Sequence, residues 1–397
     1  MRQKHLFSFL LLALLLCYAG GTALWAQADS LRLPAPLLML PMYDHFSLNY
    51  LNASSLGRGN TNLAHLGRAE AMAHNPATLS VEKACMIMEL TFKPPIAEMD
   101  KNGNQQYASP IPFGMVGVAA RLGSNICGGL LYSVPKSIVY DDYTVPIGQG
   151  ADEVVRYPTY YLHQFTGTLA GQVGSFRLGV NLIQQLHSFS DMIVHGTFDR
   201  LDRTYYTFNL QPGVFWKKGP LQLGMAVLPP SQTKMNYRYG EYDVTLPLQV
   251  ETGLGLVRDS SGLYVDVQWQ QCSAMSAAFS DRFTVKVGYE KAIGGMCYKL
   301  GVVSMPDVYT GAYKLPRYIP TTPEEQGWWN TVPQGGTFSP ADQLCLTFGF
   351  TYDFGGGQLS LAALQDVNGK VNCTQVMSSL SVNLDTFKNK KFLIFDK

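Results

Sequence analysis

Residues 282–304 read RFTVKVGYEKAIGGMCYKLGVVS. Phe283, Val285, Val287 and Tyr289 alternate with Arg282, Thr284, Lys286 and Glu290. A period of two sends successive side chains to opposite faces of a β-strand, so this run is apolar on one face and polar on the other. Gly294-Gly295 then interrupts it, and a second run follows from Met296 to Ser304. Paired glycines between two alternating runs supply the backbone freedom that a tight hairpin needs.

Working outward, the same unit recurs. Alternating segments run from Cys85 to Lys93, Pro112 to Leu122, Asn125 to Val134 and Pro158 to Gln172, with a fifth ending near Phe189. Others run from Tyr205 to Trp216, Leu221 to Leu228, Val244 to Val257, and Leu263 to about Cys272. After the quoted hairpin come Asp342 to Phe354, a segment ending near Val367, and Gln375 to about Phe387. That makes fourteen. Their connections alternate in length. Short ones fall at Gly123-Ser124, Gly174-Ser175, Lys218-Gly219, Asp259 to Gly262, Gly294-Gly295 and Gly355-Gly356, and long ones lie between them, the longest from Met305 to Ala341. A soluble sandwich has no reason to sort its loops by length. A barrel crossing the bacterial outer membrane does, because its periplasmic turns are short and its outer loops long. The expectation is an all-β fold, a 14-stranded antiparallel transmembrane β-barrel over residues 85–387.

The faces support this. Phe208, Leu210, Val214 and Trp216 oppose Thr207, Asn209, Gln211 and Gly213; Leu344, Leu346, Phe348, Phe350 and Tyr352 oppose Thr347, Gly349, Thr351 and Asp353. In lipid the apolar face must point outward, and closure is required because hydrocarbon cannot satisfy an open sheet edge. Tyr132, Tyr161, Trp216, Trp269 and Tyr352 stand near strand ends, where interfacial aromatic girdles form.

Residues 1–28 read as a signal peptide: Arg2 and Lys4, an apolar core from Leu6 to Leu16, then the small-x-small site Ala26-Gln27-Ala28. Residues 388–397 form a periplasmic tail. No later run is long and apolar enough for a membrane-spanning helix. The net charge of +1 offers no electrostatic case for nucleic acid. Cys85, Cys127, Cys272, Cys297, Cys345 and Cys373 are scattered without metal-ligand spacing. They read as small apolar barrel residues, with a disulfide chemically allowed in an oxidising compartment.

Residues 29–84 do not alternate. Leu33 to Met42 is rich in Leu and Pro, Ser54 to Asn62 is rich in Gly, and Leu63 to Ala73 has helical character ended by Asn75-Pro76-Ala77. Pro76 disfavours helical geometry at Asn75, so a break is expected there. Fourteen strands enclose more space than side chains alone can fill, so a plug from this segment is expected. The run Ser54-Ser55-Leu56-Gly57-Arg58-Gly59, then Arg68-Ala69-Glu70-Ala71, then Asn75-Pro76-Ala77-Thr78-Leu79 resembles the N-terminal hatch of the FadL/TodX family of outer-membrane transporters of hydrophobic compounds. The resemblance implies passive uptake of hydrophobic, long-chain fatty acid-like molecules, by hatch movement and lateral release through the wall, without a cofactor. It places Arg58, Arg68, Asn75, Pro76 and Ala77 near the contact of hatch and ligand. It also implies an inward kink in a wall strand, for which Gly128-Gly129 is the candidate, because strand-internal glycines mark bends. The partners implied are an apolar ligand and outer-membrane lipid. A related subgroup, the PorV-like proteins of type IX secretion, shares the hatch pattern and implies instead an adaptor with a protein secretion partner.

In the polar phase Glu251, Asp266, Arg282, Lys286, Glu290 and Lys299 bring opposite charges onto neighbouring strands. They suit a structural ion-pair network; alternatively, Lys286 or Lys299 anchors a ligand carboxylate. Trp328 and Trp329, with Tyr309, Tyr313 and Tyr318, could capture apolar ligands or pack their own loop. His163 and His187 have no nucleophile motif beside them, so no enzyme is expected.

Overall fold

The computed structural model describes residues 49–92, 96–99, 105–108, 113–139, 143–146, 153–156, 159–195, 197–237, 240–274, 279–306, 313–314, 337–338, 342–367 and 374–385. Fourteen antiparallel strands close into one barrel. They are β1 (Cys85–Phe92), β2 (Phe113–Arg121), β3 (Ile126–Val139), β4 (Thr159–Val173), β5 (Phe176–His195), β6 (Thr197–Lys218), β7 (Leu221–Leu228), β8 (Gln249–Arg258), β9 (Ser261–Gln270), β10 (Arg282–Ile293), β11 (Met296–Met305), β12 (Gln343–Asp353), β13 (Gly357–Asp366) and β14 (Thr374–Asn383). Each pairs with its neighbours in sequence, and β14 pairs with β1, Cys85 opposite Asn383. No edge is left open, which is the condition for a sheet in hydrocarbon.

The short turns close as their residues require. Gly174 and Gly294 adopt φ of 61° and 62°, which a side chain resists, and Asp259 takes the same role at φ 54° in a turn without glycine. That turn is tighter than the expected Asp259-to-Gly262 span, because Arg258 already pairs with Ser261. Two long connections differ from expectation. The stretch carrying Asp191, Asp199 and Asp202 continues the β5–β6 ladder up to His195 opposite Thr197. The stretch after β7 holds its own hairpin, Ser231–Tyr237 against Gly240–Leu246, so β8 starts at Gln249 rather than Val244. Pro247, which has no amide proton to donate, separates that hairpin from β8.

The exterior carries the apolar phase: Phe208, Leu263, Phe283, Val287, Leu346 and Phe348 are exposed. The interior carries the polar phase, including buried Asn209, Asp266, Thr284, Lys286 and Thr347. An inverted pattern of this kind is stable only where the surroundings are greasier than the lumen, as in a bilayer. Among the described residues Cys85, Cys127, Cys272 and Cys297 form no disulfide.

Residues 49–84 lie within the barrel. Contacts reach nearly every wall: Met72 meets β3, Pro76 meets β5, Leu63 meets β7 and β8, Arg58 and Gly59 meet β10 and β11, and Gly57 meets β12. Little of the segment is helical. Ala53–Leu56 forms α1, and the helix expected over Leu63 to Ala73 shrinks to a single 3-10 turn, Ala69–Ala73. Gly67 interrupts it, taken up in a parallel bridge to Leu79, with its amide on Thr78 O and its carbonyl accepting from Ser80 N. The break before Pro76 forms as expected. Asn75 caps a second turn, Pro76–Thr78, accepting from Ala77 N at 3.1 Å, with Pro76 at the first position, where a missing amide proton is harmless. The signal peptide expected over residues 1–28, residues 29–48, Cys373, the tail expected over residues 388–397, Trp328 and Trp329 lie outside the described residues.

Candidate functional site

Three pairs of inward glycines let the internal backbone approach the wall. Gly179 and Gly213, paired across β5 and β6, face Asn75-Pro76: a Cβ on Gly213 would fall 2.2 Å from Asn75 Oδ1. Gly224 and Gly253, paired across β7 and β8, leave room for Leu63, and Gly288 and Gly301, paired across β10 and β11, for Arg58 and Gly59. Gly213 and Gly349 stand in the polar phase of the sequence, but their role needs the cross-strand register, which alternation does not reveal.

Asn75 is fully buried, and its Nδ2 donates to Leu63 O at 3.0 Å and to Val214 O at 3.2 Å, tying the internal segment to itself and to β6. Arg177, which the sequence did not single out, donates from Nε to Ala77 O at 3.1 Å and from Nη2 to Leu79 O. Arg68 stands apart: its buried Nη1 has no hydrogen-bond partner.

The lumen charges turn toward the internal segment rather than toward one another. Asp266 stands opposite Lys286, and Glu290 opposite Lys299, yet neither cross-strand pair forms an ion pair. Instead Asp266 Oδ2 accepts from Asn62 N at 2.7 Å and Leu63 N at 3.1 Å. Glu290 receives Arg58 Nη1 at 2.8 Å, Tyr264 OH at 2.9 Å and His65 Nε2 at 3.5 Å. The Arg58 guanidinium lies 5.2 Å over the Tyr264 ring, a cation–π contact. Lys299 donates to Ser54 Oγ and, at 2.8 Å, to Thr351 Oγ1. Glu251 accepts from Gln268 at 2.7 Å. Two depart from this: Glu251 is held by the wall, and Lys286, more than nine-tenths buried, has no hydrogen bond or ion pair among the described residues. Burial, then the Arg58 charge, holds the His65 imidazole below its ordinary value; burial, then Lys286, pushes His74 down to about 3. Both are neutral at pH 7.

The wall is irregular near the expected kink: the β1–β2 ladder shifts register between Glu89↔Met115 and Leu90↔Phe113, and β3 carries a bulge. Gly128 and Gly129 sit in unbroken ladders, opposite Ala120 and Ala119 on β2 and Leu169 and Thr168 on β4. Gly129 serves close packing, since a Cβ there would meet Met72 Sδ at 2.6 Å. The bulge lies further along β3, where Val134 and Pro135 stand opposite the single residue His163, between the pairs Ser133↔Gln164 and Lys136↔Leu162. Pro135 has no amide to give the ladder, which is why the irregularity falls there and not at the glycines. On the other side, the β2–β3 pairing ends at Met115↔Ser133. The internal segment covers this break. Asn49 Nδ2 donates to Val134 O at 2.8 Å and Ser137 Oγ at 2.9 Å, and Asn49 N donates to Pro135 O at 2.8 Å. Beside it, buried Glu89 Oε2 accepts from Ala53 N at 3.0 Å. His163 binds Tyr132 OH at 2.8 Å, and His187 lies between Tyr160 OH and Thr207 Oγ1, both at 3.2 Å; these contacts tie neighbouring wall strands together. Among the described residues no cluster of His, Cys, Asp or Glu could hold a metal ion.

No protein-family model matches the chain, and no curated protein sequence does. Solved structures share its fold. A FadL homologue of Pseudomonas aeruginosa superposes with a TM-score of 0.59 at 14% identity, covering 85% of this chain and 99% of that one. The Ralstonia pickettii toluene transporter TbuX gives 0.57 at 13%, covering 85% and 98%. The P. putida toluene transporter TodX gives 0.55 at 12%, covering 86% and 99%.

Proposed function

We propose that this chain is a channel of the bacterial outer membrane for passive uptake of hydrophobic small molecules, with residues 49–84 acting as its hatch. The observation that carries the reading is the Asn49 clamp. The wall is unpaired at Val134–Pro135, and what closes the break from inside is the hatch itself. A hatch that shifts releases those carbonyls and leaves the upper part of β3 held on one side only. An apolar molecule in the lumen then has a lateral way into the bilayer without crossing water, and each Å² of its apolar surface that leaves water contributes about 25 cal/mol. The solved barrels of the same fold, whose described roles are toluene transport in two cases, support an uptake reading over a catalytic one. Lys286 supplies a polar anchor: an unpaired ammonium in the lumen suits a ligand bearing a carboxylate.

The test is uptake into proteoliposomes. Ala53→Cys and Ser379→Cys place two thiols where Ala53 N already donates to Ser379 Oγ at 3.1 Å. With the tie oxidised, entry of a fluorescent long-chain fatty acid should stop, and it should resume on reduction. Entry at the same rate in both states refutes the hatch.

A further inference from the structure

The outer wall carries a concavity beside the Val134–Pro135 break. On the lipid-facing phase of β3, β5 and β6, Leu130, Leu182 and Phe208 project with 67%, 63% and 65% of their surface exposed. Between Leu130 and Leu182, in register with both, stands Gly167, which projects nothing. The missing side chain opens a groove of about 540 Å³, rimmed also by Phe165 and lined at one end by Tyr132 and Gln184. Its floor is closed. Gly117, Leu131 and Thr166 pair continuously across β2, β3 and β4, and Leu131 and Thr166 are buried from the lumen side. The groove is therefore a site on the barrel's exterior and not a passage through it.

We propose that this groove holds one acyl chain of a membrane lipid, with the chain's carbonyl linkage hydrogen-bonded to the Gln184 amide. Three observations select that occupant. The groove belongs to the apolar face that meets the bilayer, where acyl chains are the solvent. It is lined mainly by aliphatic and aromatic groups, the chemistry of a chain rather than of a headgroup. Gln184 sits on the lipid-facing phase, opposite Phe165 and Phe208, with no hydrogen-bond partner among the described residues. A bare amide is costly in hydrocarbon, and a lipid carbonyl is the acceptor available there. Depth agrees. About nine residues of strand at ~3.3 Å each, tilted ~40°, put Gln184 roughly 20 Å above the 174–175 turn, near the upper limit of a ~25 Å apolar band. Tyr132 and His163, bonded to each other at 2.8 Å, mark the same polar level.

Gly167→Leu fills the groove without strain, because within 4 Å a Cβ there meets only Leu130 Cδ2, at 3.8 Å. Gly171→Leu is the control, with comparable room on the same strand outside the groove lining. The experiment is native mass spectrometry of delipidated full-length protein in detergent, titrated with dioleoyl phosphatidylethanolamine. Heat-modifiable gel mobility confirms that each variant keeps its barrel. Wild type and Gly171→Leu should bind a first lipid about tenfold more tightly than later ones. Gly167→Leu should lose that preference, and Gln184→Leu should weaken it. Equal first binding by wild type and Gly167→Leu overturns the proposal. So does a first site that takes oleic acid while refusing the phospholipid, which would make the groove a stage for a free ligand.

Discussion

Asn49→Ala tests the coupling of hatch and wall most directly. The substitution removes the bonds from Nδ2 to Val134 O and Ser137 Oγ, at 2.8 and 2.9 Å, and leaves the backbone bond to Pro135 O. Two hydrogen bonds contribute about 0.5–1.5 kcal/mol each, and a buried carbonyl left unpaired costs ~1–3 kcal/mol. A loss of about 2 kcal/mol at the break is the central expectation, so the unclamped population rises roughly 30-fold. Hydrogen exchange across residues 126–139 measures it: amides around the bulge should exchange roughly 30-fold faster, while those of β9 and β10 stay unchanged. Uptake of the fluorescent fatty acid should quicken in parallel. Ser137→Ala, which loses only the weaker of the two contacts, should show a smaller effect in the same direction. Exchange at wild-type rates in Asn49→Ala would refute the coupling, because the wall break would then be held by the strands alone.

Other outcomes follow from the same contacts. Glu290→Gln leaves the buried Arg58 charge without its carboxylate and should loosen residues 57–66 by about 3–5 kcal/mol, read as lost exchange protection; Arg58→Met with Glu290→Gln should recover part of it. Gly213→Val should expel Asn75 from its pocket and leave uptake ungated or the barrel poorly assembled, whereas Gly171→Leu should be silent in both assays. Lys286→Met should weaken binding of a fatty acid about tenfold or more while leaving toluene binding unchanged, as measured by competition. For pH the sign comes from His74, whose imidazole is held at about 3 in the folded hatch against an ordinary 6.5. The released hatch takes up the proton first, so closure is fully stable above pH 6.5. It weakens as pH falls toward 3, by up to ~1.4 kcal/mol per unit. Exchange of the 72–75 amides, corrected for intrinsic rates, should rise between pH 7 and pH 4.5; a flat profile refutes the assignment.

The barrel was legible because alternation is local. Each of Phe283, Val285 and Val287 declares its face through its neighbours, and glycine turns such as Gly294-Gly295 declare the hairpins. The break in the internal segment was legible at Asn75-Pro76, since proline restricts the residue before it. The lumen charges were visible as residues but not as partners. Cross-strand proximity suggested an ion-pair network among them, yet Asp266, Glu290 and Lys299 reach residues of the internal segment some 200 or more positions away in sequence. The kink was placed on Gly128-Gly129, because glycine weakens strands; Pro135, without an amide proton, was the stronger breaker nearby.

Strand number, strand faces and membrane-seeking exterior were therefore written in the chain, because a period of two and a turn residue act within a few positions of themselves. The seating of the internal segment, the Asn49 bonds across the Val134–Pro135 break, the position of Lys286 and the groove at Gly167 arose only when the cylinder closed. Closure sets residues far apart in sequence into one register, and the space left among them is a property of that register and of no single segment.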